Sequence, residues 1–279
     1  MTCRLIAFDL DGTLLDNDKH IPEENLSALR AAAERGVLLV PATGRILRGI
    51  PPELRALPFL RYYILSNGAL VYDAQEERTL SRGDIPLELT LRVMDYLDTQ
   101  PVLYDCYQND VGWMSRSMYE QAPVYFREEP EILKLVEKLR IRVPDLKQTL
   151  REHGEGVQKI QFYYRPEDNA ERLRMIARFP TLFPELIASS STSNNVEINS
   201  ALAGKGNGLR ALCAALGVAP EECMSFGDGS NDIPMLQAAG RGVAMGNAGG
   251  DVKAAADAVC ETNAACGVAR EIRRVLGLA

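Results

Sequence analysis

The sequence predicts an α/β protein whose parallel sheet is interrupted by an inserted α+β segment. Two observations carry the prediction. Short apolar runs alternate with helical patterns near both ends of the chain, and that rhythm is lost between about residues 84 and 189. Three of the apolar runs end abruptly in polar clusters: Asp9-Leu10-Asp11-Gly12-Thr13, Thr43-Gly44-Arg45, and Gly227-Asp228-Gly229-Ser230-Asn231-Asp232. In open parallel sheets ligands bind at the carboxyl ends of the strands, so the three clusters should converge there.

Leu5 to Leu10, closed by Asp11-Gly12, reads as a short buried strand. A helix follows from Ile21-Pro22-Glu23-Glu24, with Pro and acidic residues in its first turn, Leu26, Leu29 and Ala33 on one face, and Gly36 at its end. Val37 to Val40 and Tyr62 to Leu65 read as further strands, and Ser66-Asn67-Gly68 as a turn into another at Ala69 to Tyr72. In the middle segment, Val102 to Ser115 predicts a hairpin with Gln108-Asn109-Asp110 near its tip. Glu131 to Arg140 and Pro166 to Phe179 predict helices, and Val157 to Tyr164 a strand. The first rhythm returns with a helix at Lys205 to Leu216, a strand at Cys223 to Phe226, a helix at Asn231 to Ala239, a strand at Gly242 to Met245, and helices at Asp251 to Ala256 and Val268 to Leu276. The expected organisation is therefore a core made of residues 1–83 with 190–279, and an inserted unit of residues 84–189. The Ser/Asn-rich stretch Ser189 to Asn195 reads as a flexible joint between them.

A chain of 279 residues with 46% hydrophobic and 25% charged residues can bury a sizeable core. Its net charge of −7 is opposite to that of a general nucleic-acid binder, while a small anion can still be held by a few local cations and amides. No apolar run approaches the roughly 20 residues that span a bilayer, and Asp9 comes too early for a secretory signal, so a cytoplasmic protein without a membrane partner is expected. The six cysteines form no CxxC pair and read as reduced thiols, and no feature points to an obligate protein partner.

The clusters carry phosphoryl-transfer chemistry. If extended backbone persists through residue 11, the Asp9 and Asp11 side chains emerge on one side, and close like charges let one act as nucleophile and the other carry a proton. A divalent cation would relieve their repulsion and orient a phosphate. With Asp228 and Asp232 added, the oxygen-only set favours Mg²⁺ over zinc or copper. The Thr43 hydroxyl and the backbone amides near it, about Gly44, can hold phosphate oxygens, and the Lys205 ammonium can neutralise charge. Two other motifs fail. Gly204-Lys205-Gly206 lacks the rest of a Walker loop, and Gly227-Asp228-Gly229 lacks the third glycine of a dinucleotide fingerprint. His20 and His153 lie in polar stretches without partner spacing and read as surface residues.

These residues resemble the haloacid dehalogenase (HAD) superfamily. Phe8-Asp9-Leu10-Asp11-Gly12-Thr13-Leu14 resembles its first motif, Thr43-Gly44-Arg45 its second, Lys205 its third, and Gly227 to Asp232 its fourth. Ser66-Asn67-Gly68-Ala69 and Val243-Ala244-Met245-Gly246-Asn247-Ala248 resemble the Cof-type branch, subclass IIB. The resemblance implies a Rossmann-like core with an inserted cap that selects substrate, and a Mg²⁺-dependent phosphatase for small phosphorylated metabolites such as sugar phosphates. It implies that Asp9 attacks phosphorus to form an aspartyl-phosphate, and that Asp11 protonates the leaving oxygen and then activates water. Mg²⁺ would be held by Asp9, the Asp11 carbonyl and Asp228, with Asp232 orienting the site. Thr43, Asn231 and Lys205 would contact the phosphoryl group; Arg45, Arg48, Trp113 and Arg116 are candidates for the leaving group. A phosphomutase or phosphotransferase on this scaffold, and a non-catalytic phospholigand-binding protein, remain as alternatives at this point.

Overall fold

A computed structural model describes residues 3–278. The chain forms two compact units, one of residues up to Arg82 with those from Ala203 onward, the other Gly83–Leu202.

In the first unit five parallel strands form one sheet, in the order Ala258–Val259, Arg241–Ala244, Cys223–Gly227, Leu5–Phe8, Leu38–Pro41. Leu5–Phe8 is flanked by a strand on each edge and wholly buried, because both faces of a parallel sheet are covered. Ile6 and Phe8 pack with Ala28, Leu29 and Ala32 of the helix Glu23–Glu34 and with Val268 and Ile272 of Gly267–Leu276. Leu5 and Ala7 pack on the other face with Leu209 and Leu212 of Lys205–Leu216 and with Met235 of Ile233–Ala238. Alternation along four residues thus joins two apolar layers.

Tyr62–Leu65 meets this sheet only through a parallel bridge between Ala42 and Ile64. It then leads an antiparallel meander with Leu70–Asp73 and Arg78–Arg82. The buried Asp73 carboxylate builds the second turn, accepting from Gln75 N, Glu76 N and the Arg61 guanidinium.

The second unit holds a six-stranded sheet in the order Leu186–Ser189, Asn195–Ser200, Lys159–Tyr163, Leu103–Gln108, Val111–Ser115, Arg140–Val143. Its pairs are antiparallel except the last, which is parallel. One face is apolar, with Tyr104, Cys106, Ile160, Phe162, Val196 and Ile198 packed against helical residues including Val93, Leu150 and Phe179. The alternate residues Asp105, Tyr107, Lys159, Gln161 and Glu197 form a buried polar face.

The sequence reading places residues 190–202 in the core and makes 189–195 a joint. The structure corrects both. Asn195–Ser200 is an inner strand of the second sheet, and the Asn195 side-chain oxygen accepts from Ser191 N and Thr192 N, closing a built turn. No described helix is long and apolar enough to cross a membrane.

Candidate active site

Asp9 directly follows the inner strand Leu5–Phe8 and is still tied to its neighbour, since its N–H donates to Phe226 O at 3.0 Å. Its carboxylate therefore stands at the carboxyl edge of the sheet, beside the loop that follows Gly227. There Oδ1 accepts from Lys205 Nζ at 2.6 Å, and the same ammonium donates to Asp232 Oδ1 at 2.5 Å. Burial raises the Asp9 carboxyl above its ordinary range; Lys205 opposes this and Asp232 adds to it. Burial alone would discharge Lys205, but Asp232 and Asp9 outweigh it and hold the ammonium charged.

Asp232 has no oxygen to spare. Its Oδ2 accepts from Asp228 N at 3.0 Å and Gly229 N at 2.9 Å, so one side chain shapes the acidic loop and anchors the lysine. Asp228 accepts the Thr13 hydroxyl at 2.8 Å on Oδ1, while its Oδ2 lies over Gly12, where a Cβ would come within 2.4 Å. Gly12 also has φ +81°, so glycine is required there twice over.

Asp9, Asp228 and Asp232 each offer an oxygen within 4.8 Å of the others. Three carboxylates meet one ammonium, which leaves two formal negative charges in an oxygen-only pocket. That donor set fits a divalent cation. The Asp9 and Asp228 carboxylates are placed to hold it, with Asp232 working through the loop.

Asp11 is not in that cluster. Its own backbone is extended, at φ −78° and ψ 115°, but Leu10 before it turns into a helical conformation, so the extended run expected through residue 11 is broken. The Asp11 carboxylate is drawn elsewhere. Arg45 Nε donates to Oδ2 at 2.8 Å and Nη2 to Oδ1 at 2.7 Å, and Lys19 Nζ lies 3.0 Å from Oδ1. Burial raises the Asp11 carboxyl, but these two cations outweigh it and hold it below the usual carboxylate range. Arg45, read from the sequence as a substrate contact, thus sits on Asp11, with Nη1 fixed on Gly49 O at 2.8 Å.

Thr43 is buried at the end of the second strand; its N–H donates to Ile64 O, and its Oγ1 accepts from Arg45 N at 3.2 Å. Asn231 Nδ2 donates to Asn67 Oδ1 at 3.1 Å. Asn67 is the residue that sequence reasoning left as a turn. In left-handed conformation at φ 58°, it donates its N–H to Thr43 O and accepts Gly204 N on its carbonyl, and its Oδ1 lies 2.8 Å from where a Cβ on Gly44 would be. One residue, through backbone and side chain together, ties three motifs, and the Asn-Gly pair was its signal. Of the remaining leaving-group candidates, Arg48 and Arg116 are exposed, and Trp113 packs edge-on against His153 with centroids 5.1 Å apart.

A parallel α/β sheet whose carboxyl edge gathers a lysine-held aspartate and an acidic pocket defines a phosphohydrolase class of site. A family model for haloacid dehalogenase-like hydrolases matches residues 6–272. The phosphatase YwpJ of Bacillus subtilis is 31% identical, with 98% of this chain and 100% of that protein aligned. The pyridoxal phosphate phosphatase YbhA of Escherichia coli is 30% identical, with 98% of each covered. A solved haloacid dehalogenase-like hydrolase from Bacteroides thetaiotaomicron superposes with a TM-score of 0.81 at 27% identity, over 98% of this chain and 99% of that one. The chain belongs to the haloacid dehalogenase-like hydrolase family, in its Cof-type subclass IIB, and is a phosphatase, a phosphoric monoester hydrolase. The non-catalytic alternative falls with that finding.

Proposed function

We propose that the protein hydrolyses small phosphomonoesters, sugar phosphates or similar metabolites, through an aspartyl-phosphate on Asp9 with Mg²⁺ as cofactor. The observation that carries this reading is the Lys205–Asp9 contact of 2.6 Å at the carboxyl end of the strand Leu5–Phe8. The lysine fixes one carboxylate oxygen, and no hydrogen bond from the described residues engages the other. As an Asp9 oxygen bonds to phosphorus, the ester P–O bond breaks and the leaving oxygen takes a proton from Asp11, which has first taken that proton from solvent against the pull of Arg45 and Lys19. Asp11, now a carboxylate, removes a proton from water; the hydroxyl oxygen bonds to phosphorus, and the Asp9–phosphorus ester opens to release phosphate. Thr43, Asn231 and the Lys205 ammonium hold the phosphoryl oxygens. Asp9, Asp228 and the Asp11 carbonyl would hold Mg²⁺, which when bound neutralises charge on nucleophile and phosphate. We assign the choice of leaving group to the unit Gly83–Leu202, whose buried polar face includes Asp105 Oδ1 and Arg140 Nη1 without a hydrogen-bond partner.

The test is phosphate release from a phosphometabolite panel and p-nitrophenyl phosphate by wild type and Asp9→Asn. The wild type should lose turnover in EDTA and regain it with Mg²⁺. Asp9→Asn should fold normally and lose about 10³-fold or more in kcat. Undiminished turnover by the variant removes Asp9 as nucleophile.

A further inference from the structure

We infer that Lys19 is a positioning residue for Asp11; the inference rests on the reading of Asp11 as proton donor to the leaving group. Two independent observations lead to it.

The first is the backbone. Lys19 adopts φ +65°, a left-handed conformation that residues with a side chain seldom take. The turn that imposes it is tightly built. Asp16 Oδ1 accepts from Asp18 N at 3.0 Å and His20 N at 2.9 Å, Asp16 N donates to His20 O at 2.9 Å, and Lys19 N donates to Asp16 O at 3.1 Å. The turn is also tethered, since the buried Asn263 donates its amide to Leu15 O at 3.0 Å and Asn17 Oδ1 at 3.2 Å. A residue held in this conformation would usually justify it by packing, yet the Lys19 side chain is 58% exposed.

The second is where that side chain goes. Its ammonium lies 3.0 Å from Asp11 Oδ1, the oxygen that also accepts Arg45 Nη2. Arg45 approaches from the segment after the second strand, braced by Gly49 O; Lys19 approaches from the turn that follows Asp11 itself. Asp11 precedes Gly12, whose φ of +81° gives the chain a bend with no side chain to restrain it. Two cations from different segments of the chain meet on one oxygen of the Asp11 carboxylate and confine it. An acid must present its proton along the line of the breaking ester bond, so this confinement is worth most when the leaving group cannot depart without a proton.

That dependence separates positioning from structural support. A nitrophenolate departs as a stable anion, whereas an alkoxide needs the acid, and kcat/KM reports the steps through cleavage of that ester. The measured quantity is the ratio of kcat/KM for an alkyl phosphomonoester to that for p-nitrophenyl phosphate. Lys19→Met should lower this ratio about two- to fivefold, a size set by a half-exposed ion pair, and Lys19→Arg should restore most of it. Asp11→Asn, measured in parallel, should lower it further. Equal losses on both substrates, or no loss, in Lys19→Met while Asp11→Asn remains selective overturns the role of Lys19 alone. An unchanged ratio in Asp11→Asn overturns the reading of Asp11, and the inference with it. Thermal melts of each variant keep a folding defect from passing as either result.

Discussion

Replacing Lys205 with Met keeps the length and apolar stem of the side chain and removes its charge. Lys205 is 1% exposed and donates to Asp9 and Asp232 at 2.6 and 2.5 Å, so the variant leaves two buried carboxylates facing one another. Removing one member of a buried ion pair costs about 3–5 kcal/mol, because the remaining charge can be neither paired nor hydrated. In a unit of this size that is a fall of roughly 6–20 °C in its thermal transition. The loss should depend on pH with a definite sign. Burial raises the Asp9 carboxyl, and Lys205 is what opposes the rise; without it, the folded-state value climbs further above the unfolded one of about 3.9. A carboxyl raised on folding stabilises fully below the unfolded value and loses that contribution as pH rises through the folded one. Lys205→Met should therefore recover stability between about pH 8 and pH 5 when melted by calorimetry in EDTA. Adding Asp232→Asn should recover part of the loss at pH 8, since one of the opposed charges is gone. A single variant that melts within about 2 °C of wild type at pH 8, or whose deficit deepens on acidification, would refute the reasoning.

Two further outcomes follow from close contacts. Gly12→Ala places a methyl group 2.4 Å from Asp228 Oδ2 at a residue with φ +81°; displacing Asp228 should cost about 10–100-fold in activity or Mg²⁺ affinity, read as the Mg²⁺ concentration for half-maximal rate. Asp73 is held below the usual carboxylate range, first by the Arg61 hydrogen bonds and against its own burial. Its contribution to stability is present above the unfolded value of about 3.9 and is lost as pH falls through the folded one. The melting-temperature gap between wild type and Asp73→Asn should thus be widest near neutrality and close on acidification; a gap that widens in acid would be the wrong sign.

Strands buried on both faces were legible because few polar residues are stable there, and the one in Cys223–Gly227, Ser225, donates its hydroxyl to Met235 O. Tyr62–Leu65 and Cys223–Gly227 follow their apolar runs to within a residue. Asn195–Ser200 was hidden for the opposite reason. Its alternate residues Asn195, Glu197 and Asn199 face a buried polar network rather than water or an apolar core, so polarity there does not mean a loop. Arg78–Arg82 is an exposed edge with one leucine, and offers no period to read. At the site, Asp9, Lys205, Asp228 and Asp232 were legible as types and strand-end positions, and the pairing of Phe8 with Phe226 brings two of their loops together. What escaped the sequence was the second partner of each group. Asp11 itself is extended, but the extended run ends at Leu10 in a helical turn, and the fork of Arg45 and the ammonium of Lys19 hold its carboxylate outside the acidic cluster. Asn67 and Lys19 act from left-handed turns, where neither hydrophobic period nor spacing leaves a mark.

The site's carboxylates are graded by exposure in a way that matches the role proposed for each. The Asp232 side chain is 1% exposed with both oxygens engaged, that of Asp9 is 10% exposed with one oxygen held, and that of Asp11 is 37% exposed and held by two surface-reaching cations. A group that only shapes the field is best buried and saturated, because reorganising it during the reaction would forfeit the stabilisation it supplies. A nucleophile needs one oxygen fixed and one available. A group that must exchange protons with a departing alcohol and then with water has to stand where both can reach it, and it can be directed there only by partners that water also reaches. Substitutions around Asp232 should therefore abolish the site, whereas those around Asp11, at Lys19 first, should tune which leaving groups it accepts.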